Sequence, residues 1–178
     1  MILSGNKIKE EVLKGRIQLD PFDLQLLNPN SYNYRLGEQL LIMPGDIDTR
    51  CQPTTEQILL PKEGYILQPG VVYLGHTYER IGSSQYVPSL IGRSSLGRLG
   101  LFLQITADLG HLGTYHKWTL EMTVVQPLRV YPRMRVGQVS FWKPEGLPGL
   151  AGGSYADKPG SYANYSSSTP SKPSKFFE

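Results

Sequence analysis

The sequence contains one cysteine, Cys51, among 178 residues. A single cysteine excludes an internal disulfide and any metal site built from several cysteines. The sequence also lacks a run of about 20 consecutive apolar residues, the length that a membrane-spanning helix needs. Its opening, MILSGNKIKEEV, has no basic segment followed by an apolar one. It therefore does not match a secretory signal, and we expect a cytoplasmic protein.

Concentrated positive charge is absent as well. The formal net charge is only +3, and the Lys and Arg residues form no dense cluster of the kind that binds nucleic acid. The abundant residues are glycine, with 19 copies, and proline, with 14. Because they are scattered between short apolar runs without a fixed period, they exclude collagen and favour short strands joined by tight turns.

Local patterns predict one short helix followed by a series of strands. Ser4 is a suitable N-cap for a helix over residues 4–14, and Gly15 can adopt the left-handed conformation that often follows a helix. Alternating or continuous apolar residues predict strands at 32–36, 40–42, 57–60, 65–67, 71–78, 86–92, 101–106, 118–125, 128–131 and 136–142. This series is typical of a mainly β barrel or sandwich.

The composition changes near residue 144. Residues 144–178 are dominated by Gly, Ser, Pro and Tyr and contain too few aliphatic residues for a core of their own. One interpretation is a disordered tail. The other is a mobile flap, in which Tyr155, Tyr162 and Tyr165 contact a ligand as the segment closes.

The segment GRSSLGRLG, residues 92–100, combines two arginines and two serines at the end of a predicted strand. Backbone N–H groups at a helix start, two hydroxyls and two guanidinium groups together suit a phosphate chain. The composition supports equally a short helix capped by serine, with the arginines on the surface.

Glu121 interrupts the apolar strand WTLEM. The two-residue period of a strand places Thr119 and Glu121 on one face, with Leu120 and Met122 on the other. Glu121 therefore points either to solvent or into a polar pocket. In a pocket it would be a candidate general base.

The three histidines give weaker signals. His76 lies on a predicted strand, where we expect a half-buried structural residue. His111 and His116 flank a loop, and a spacing of five residues in a loop does not place two metal ligands on one face. We therefore expect no metal site formed by the protein.

The block GRSSLGRLGLFLQITA, followed by Glu121 in TLEM, resembles the dCTP deaminase family. The opening MILS, the segment Asp20-Pro21-Phe22, the segment Tyr34-Arg35-Leu36-Gly37 and the strand VGQVSF support the resemblance. It covers residues 1–143 well and residues 144–178 only loosely. It implies a trimeric, dUTPase-like distorted β-barrel with a short N-terminal helix and active sites at subunit interfaces. It also implies that residues 144–178 fold over the nucleotide, which favours the flap.

The resemblance implies zinc-independent deamination of dCTP to dUTP and ammonia. Zinc deaminases need two or three cysteine ligands, and this chain has one cysteine. Glu121 then corresponds to the catalytic base. Ser94 and the carbonyl of Ala107 would hold the water and the exocyclic amine, and Arg98 would stabilise the charge of the site.

The resemblance also implies the binding residues. It assigns the triphosphate, with its Mg²⁺, to Arg93, Ser95 and neighbouring amides, and it also places Ser94, Leu96, Gly97 and Arg98 at the nucleotide. The backbone of Thr119 and Leu120 would contact the pyrimidine, and Gln138 and the residue at position 111 would lie near the nucleotide. The implied partners are the nucleotide and two further copies of the chain.

Two departures from the family pattern leave alternatives open. His111 occupies a position where the family usually has Asp, which argues against dUTPase activity. The tail also lacks the usual Lys and Gln, having Ser161 and Tyr165 at the corresponding positions around Tyr162. The alternatives are a deaminase or phosphohydrolase for another pyrimidine nucleotide, modified cytosine included, and a non-catalytic nucleotide-binding protein.

Overall fold

The structure is a computed structural model that describes residues 1–43, 45–48, 50–51, 53–104 and 106–146. The predicted contacts of Tyr155, Tyr162 and Tyr165, and with them the choice between tail and flap, lie outside these residues. The part that the structure describes contains no helix long and apolar enough to cross a membrane.

The N-terminal helix α1 spans Gly5–Leu13, as the sequence predicts. The Ser4 side chain accepts a hydrogen bond from the backbone N–H of Lys7, which satisfies one of the unpaired donors of the first turn. After the helix, Gly15 has a φ of +71°, where a residue with a Cβ would be strained. The buried Ile8 anchors the helix on the rest of the domain.

Thirteen strands follow within the described residues, together with one short helix. The strands are β1 (Ile17–Asp20), β2 (Tyr32–Arg35), β3 (Gln39–Ile42), β4 (Glu56–Leu59), β5 (Tyr65–Leu67), β6 (Tyr73–His76), β7 (Arg80–Ser83), β8 (Val87–Gly92), β9 (Leu101–Leu103), β10 (Tyr115–His116), β11 (Thr119–Val124), β12 (Leu128–Val130) and β13 (Arg135–Trp142). The second helix, α2, spans Ser94–Gly97, and a 3₁₀ turn spans Leu24–Leu26. The prediction of a mainly β domain is confirmed.

The strands form four antiparallel sheets. The largest has the order β4-β3-β6-β11-β9, and two three-stranded sheets have the orders β2-β13-β8 and β1-β7-β10. The fourth pairs β5 with β12. One hydrophobic core lies among the sheets, and its fully buried members include Tyr34, Leu40, Leu90, Leu120 and Phe141.

Strand β11 shows how the core positions the candidate site. Leu120, Met122 and Val124 are buried, whereas Thr119 and Glu121 alternate with them and are partly exposed. This alternation is the predicted one. It places Glu121 on the face of the five-stranded sheet that points away from the core.

The sheet β1-β7-β10 was not predicted, so the estimate of about ten strands was too low. Its central strand contains Gly82, where an added Cβ would lie 1.8 Å from the carbonyl oxygen of Thr114. Glycine is depleted in strands, but here it allows β10 to approach closely. The close approach depends on residues far apart in the sequence, which local patterns do not reveal.

His76 lies on β6, as predicted, but it is buried rather than half-buried, with 4% of its surface exposed. Its Nδ1 lies 2.9 Å from the carbonyl oxygen of Thr77. Burial lowers the pKa of His76, so the ring stays neutral near pH 7. Its ring packs against Gly37, where a Cβ would lie 2.0 Å from the ring.

Candidate functional site

The arginine–serine loop, residues 92–98, begins at the last residue of β8 and includes the single turn of α2. Arg93 is the N-cap residue, and its side chain makes no capping hydrogen bond. The alternative of a helix capped by serine is therefore wrong. Ser94, Ser95 and Arg98 are exposed, so their hydroxyls and guanidinium group are available to an oxyanion.

The carboxylate of Glu121 is held by Thr106. The Thr106 hydroxyl donates to Glu121 Oε2 over 3.0 Å. Glu121 Oε1 makes no hydrogen bond to any residue that the structure describes. One carboxylate oxygen is thus fixed while the other can accept a proton from a ligand or water, which is the arrangement a general base needs.

Gln104 fixes the backbone on which Glu121 stands. Its Oε1 accepts from the backbone N–H of Glu121 over 2.9 Å, and its own N–H donates to the Glu121 carbonyl over 3.3 Å. Its Nε2 donates to the carbonyl oxygen of Ala107 over 3.2 Å. One buried side chain therefore connects the candidate base to the carbonyl that was predicted to hold the amine.

Neither Gln104 nor Thr106 was predicted as a site residue. Gln104 has a φ of +51°, a left-handed conformation that is uncommon and costly for a residue with a Cβ. This turn ends β9 at Leu103, whereas the sequence predicts a strand as far as residue 106. The only available signal was an amide side chain directly after an apolar run. Such a signal does not reveal which backbone groups the amide contacts.

Because β9 ends at Leu103, no strand among the described residues pairs with β11 on this edge beside Thr119. The backbone N–H and C=O of Glu121 point toward β9 and Gln104, so those of Thr119 point the same way and those of Leu120 point toward β6. The N–H and C=O of Thr119 thus face this edge of β11, next to Glu121. The backbone of Leu120, which was predicted to contact the pyrimidine as well, faces its partner strand instead.

The loop that follows Ala107 is tied to β8. The backbone N–H of Leu90 donates to the Asp108 carbonyl over 2.7 Å, and the Ser89 hydroxyl lies 3.4 Å from Asp108 Oδ2. Strand β8 leads directly into the arginine–serine loop. The Ala107 carbonyl is therefore fixed from two sides, by Gln104 and by the contacts of Asp108.

The segment of residues 111–118, which contains β10, carries several bulky side chains. His111 is exposed, and its carbonyl accepts from the Thr114 hydroxyl over 2.7 Å. His116 is buried against Trp118, with ring centroids 4.4 Å apart, and burial lowers its pKa. Among the described residues, no group of three or more His, Cys, Asp or Glu is arranged to hold a metal ion.

Gln138 lies on β13, opposite Ile91 of β8 and close to the start of the arginine–serine loop. Its Oε1 accepts from the Ser31 hydroxyl over 2.7 Å and from Asn28 Nδ2 over 3.5 Å. These contacts fix the side chain and leave its Nε2 group free of hydrogen bonds to described residues. The predicted role at the nucleotide remains a prediction.

The residues of the candidate site, predicted and not predicted, thus form two groups. Gln104, Thr106, Ala107 and Glu121, which we call the Glu121 cluster, are linked by hydrogen bonds. The arginine–serine loop is the other group. Within the described ranges, no hydrogen bond or ion pair joins this loop to Glu121.

Comparison with known proteins relates this arrangement to a family. Residues 2–144 match the family model described as dCTP deaminase-like. The chain is 45% identical over 147 residues to the "dCTP deaminase, dUMP-forming" of Hathewaya histolytica, covering 82% of this chain and 85% of that protein. It is also 45% identical over 147 residues to the "dCTP deaminase" of Rhodopirellula baltica, covering 82% of this chain and 74% of that protein.

The fold has a counterpart among solved structures. The crystal structure of the 2'-deoxycytidine 5'-triphosphate deaminase from Agrobacterium tumefaciens aligns with a TM-score of 0.64 at 20% identity. The alignment covers 79% of this chain and 46% of that chain, so the likeness concerns the fold of the described domain. From the family model and the sequence identity together, the chain belongs to the dCTP deaminase-like family.

Proposed function

We propose that this protein is an enzyme that deaminates dCTP to dUTP and ammonia without zinc. The observation that carries the proposal is the Glu121 cluster. In it, Gln104 links the backbone of Glu121 to the Ala107 carbonyl, and one carboxylate oxygen of Glu121 makes no hydrogen bond to a described residue. Relatives named dCTP deaminase support the choice of substrate.

The reaction needs one base that moves protons between water and the amine. Glu121 takes a proton as water adds to C4 of cytosine, and it returns protons so that the amine leaves as ammonia and a C4 carbonyl forms. A positioned general base contributes roughly 10²- to 10⁴-fold. The Ala107 carbonyl accepts a hydrogen bond from the amine, and the backbone of Thr119 orients the pyrimidine edge. This orientation supplies a further part of the rate enhancement.

The triphosphate binds the arginine–serine loop. Arg93, Ser94, Ser95 and Arg98 offer hydrogen-bond donors and positive charge but no carboxylate. This donor set suits phosphate oxygens and does not suit a cation. Mg²⁺ would therefore come with the substrate, and these four residues would hold the phosphates rather than the ion.

The active site is shared between copies of the chain in a homotrimer. Two features support this proposal: no hydrogen bond or ion pair among the described residues joins the loop to Glu121 within one chain, and the Glu121 face of the sheet presents exposed Phe102 and Leu59. Large exposed apolar side chains on one face favour association. Arg98 of one copy then stabilises the site that Glu121 of a second copy completes.

A direct assay tests the reaction. Incubation with dCTP and Mg²⁺ should release ammonia and dUTP, and Glu121→Gln should abolish both. Glu56→Gln, which changes an exposed glutamate of the same sheet, should keep full activity. Absence of ammonia from the wild-type protein, or full activity of Glu121→Gln, would refute the proposal.

A second experiment tests the shared site. Arg98→Ala and Glu121→Gln should each be inactive, whereas co-expression of the two variants should restore activity. Random assembly would give about one quarter of the sites both native residues if the two come from neighbouring copies. If both residues act within one chain, every site lacks one of them and the mixture stays inactive.

The product is the point on which a second candidate function differs. The name "dUMP-forming" of the Hathewaya histolytica relative favours a reaction that continues to dUMP and pyrophosphate. We propose dUTP as the product because His111 offers no carboxylate at the position where the family resemblance places an Asp. Chromatography of the products separates the two, since dUMP with pyrophosphate would overturn the proposal for dUTP.

A further inference from the structure

A polar cavity lies outside the Glu121 cluster and the arginine–serine loop. It has a volume of about 160 Å³, which is room for several water molecules at about 30 Å³ each. It opens between the start of β3, the end of β6 and the segments that precede β11 and β13. Its lining residues are Glu38, Gln39, His76, Tyr78, Lys117 and Arg133.

The cavity has more positive than negative charge. Lys117 forms no ion pair within the part of the chain that the structure describes. Arg133 donates from Nε and Nη2 to Glu38 Oε1 over 2.9 and 2.7 Å, and its guanidinium lies 4.8 Å from the ring centroid of Tyr78. Two cations therefore face one carboxylate, and the ammonium of Lys117 is the donor with no partner of opposite charge.

The backbone that presents these groups is unusual. Arg133 has a φ of +61°, a conformation that glycine adopts far more readily. Such conformations persist where the surrounding structure imposes them, often at ligand sites. The contacts with Glu38 and Tyr78 then hold the guanidinium at the cavity.

The cavity also contains acceptors without donors. Gln39 Oε1 is buried and has no hydrogen-bond partner among the described residues. His76 is neutral and directs Nδ1 to the Thr77 carbonyl, so its Nε2 can only accept. Gln39 Oε1 is too deeply buried for a ligand to reach, so a ligand here must accept hydrogen bonds from Lys117 and also donate one to His76 Nε2.

We propose that this cavity binds inorganic phosphate, an oxyanion that keeps a proton at neutral pH. Its oxygens accept from Lys117 and Arg133, and its O–H donates to His76 Nε2. Sulfate has similar size and charge but no proton at this pH, so it leaves His76 Nε2 without a donor. Selectivity for phosphate over sulfate is thus the signature of the site.

Calorimetric titration of the full chain with inorganic phosphate, methyl phosphate and sulfate tests the proposal. Inorganic phosphate should bind at least tenfold more tightly than sulfate. Lys117→Met and Arg133→Gly should each weaken phosphate binding about tenfold. The glycine suits the left-handed backbone, so this variant should fold. Lys62→Met removes an exposed lysine outside the cavity and should leave binding unchanged.

His76→Phe provides the decisive test, because it keeps a ring at this position, removes the Nε2 acceptor and should reduce the ratio of phosphate to sulfate affinity to about one. Methyl phosphate, whose second pKa of about 6 leaves it mostly without a proton at neutral pH, should bind more weakly than inorganic phosphate, and equal binding would overturn the proposal. Equal affinity of the wild-type protein for phosphate and sulfate, or no binding of phosphate, would overturn the proposal. Glu121→Gln should retain phosphate binding, so failure of this site is distinguishable from failure of the proposed deaminase.

Discussion

Replacing Gln104 tests whether its contacts position the candidate base. Gln104→Ala removes the acceptor of the Glu121 N–H and the donor to the Ala107 carbonyl. Leaving a buried N–H without an acceptor costs about 1–3 kcal/mol. Each 1.36 kcal/mol in an activation barrier changes a rate about tenfold. We therefore expect kcat for dCTP to fall about 10- to 100-fold.

The backbone conformation requires a second variant. Gln104→Gly also removes both hydrogen bonds, but glycine accepts the φ of +51° without strain. If the hydrogen bonds position the base, kcat should fall alike in both variants, although the glycine and alanine proteins differ in stability.

The assay measures kcat and KM for dCTP by ammonia release, together with Tm. A positioning role lowers kcat while KM changes much less, because the triphosphate contacts remain. Gln126→Ala is a matched control, since it removes a glutamine that donates to the Leu99 carbonyl on the surface. An unchanged kcat in Gln104→Ala, with only a lower Tm, would refute the reasoning.

Two further predictions concern the fold. Gly82→Ala places a Cβ 1.8 Å from the Thr114 carbonyl and should destabilise the protein by about 1–3 kcal/mol, whereas Gly97→Ala, with open space around it, should not lower Tm. Arg16 holds the pKa of the buried Glu11 at about 2, below its ordinary 4.5, so this pair stabilises the fold above pH 4.5 and loses its effect as the pH falls toward 2. In urea unfolding, Arg16→Met should have a lower free energy of unfolding than the wild-type protein at pH 7, and this difference should shrink as the pH falls from 4.5 toward 2. A difference that does not change with pH would contradict the conclusion that Arg16 lowers the pKa of Glu11.

The parts of the fold that the sequence predicted are those that depend on interactions between residues close together in the chain. Helix α1 was predictable because both of its ends depend on nearby residues. Ser4 accepts a hydrogen bond from a backbone N–H of the first turn, and Gly15 adopts the positive φ that follows the last turn. Strand β11 was predictable because its alternation follows directly from one buried and one partly exposed face. The sheet β1-β7-β10 was missed, since Gly82 favours a strand only when β10 packs against it.

The same division applies to the candidate site. The sequence by itself determined the types of residue available: one cysteine, a loop rich in arginine and serine, and a glutamate on a strand. Only the tertiary structure decided that Gln104 turns left-handed, ends β9 and clamps Glu121 to the Ala107 carbonyl. It also decided that Gln39 and Lys117, 78 positions apart in the sequence, line one cavity. Contacts across a sheet depend on register and chain reversal, and local sequence patterns do not specify either of them.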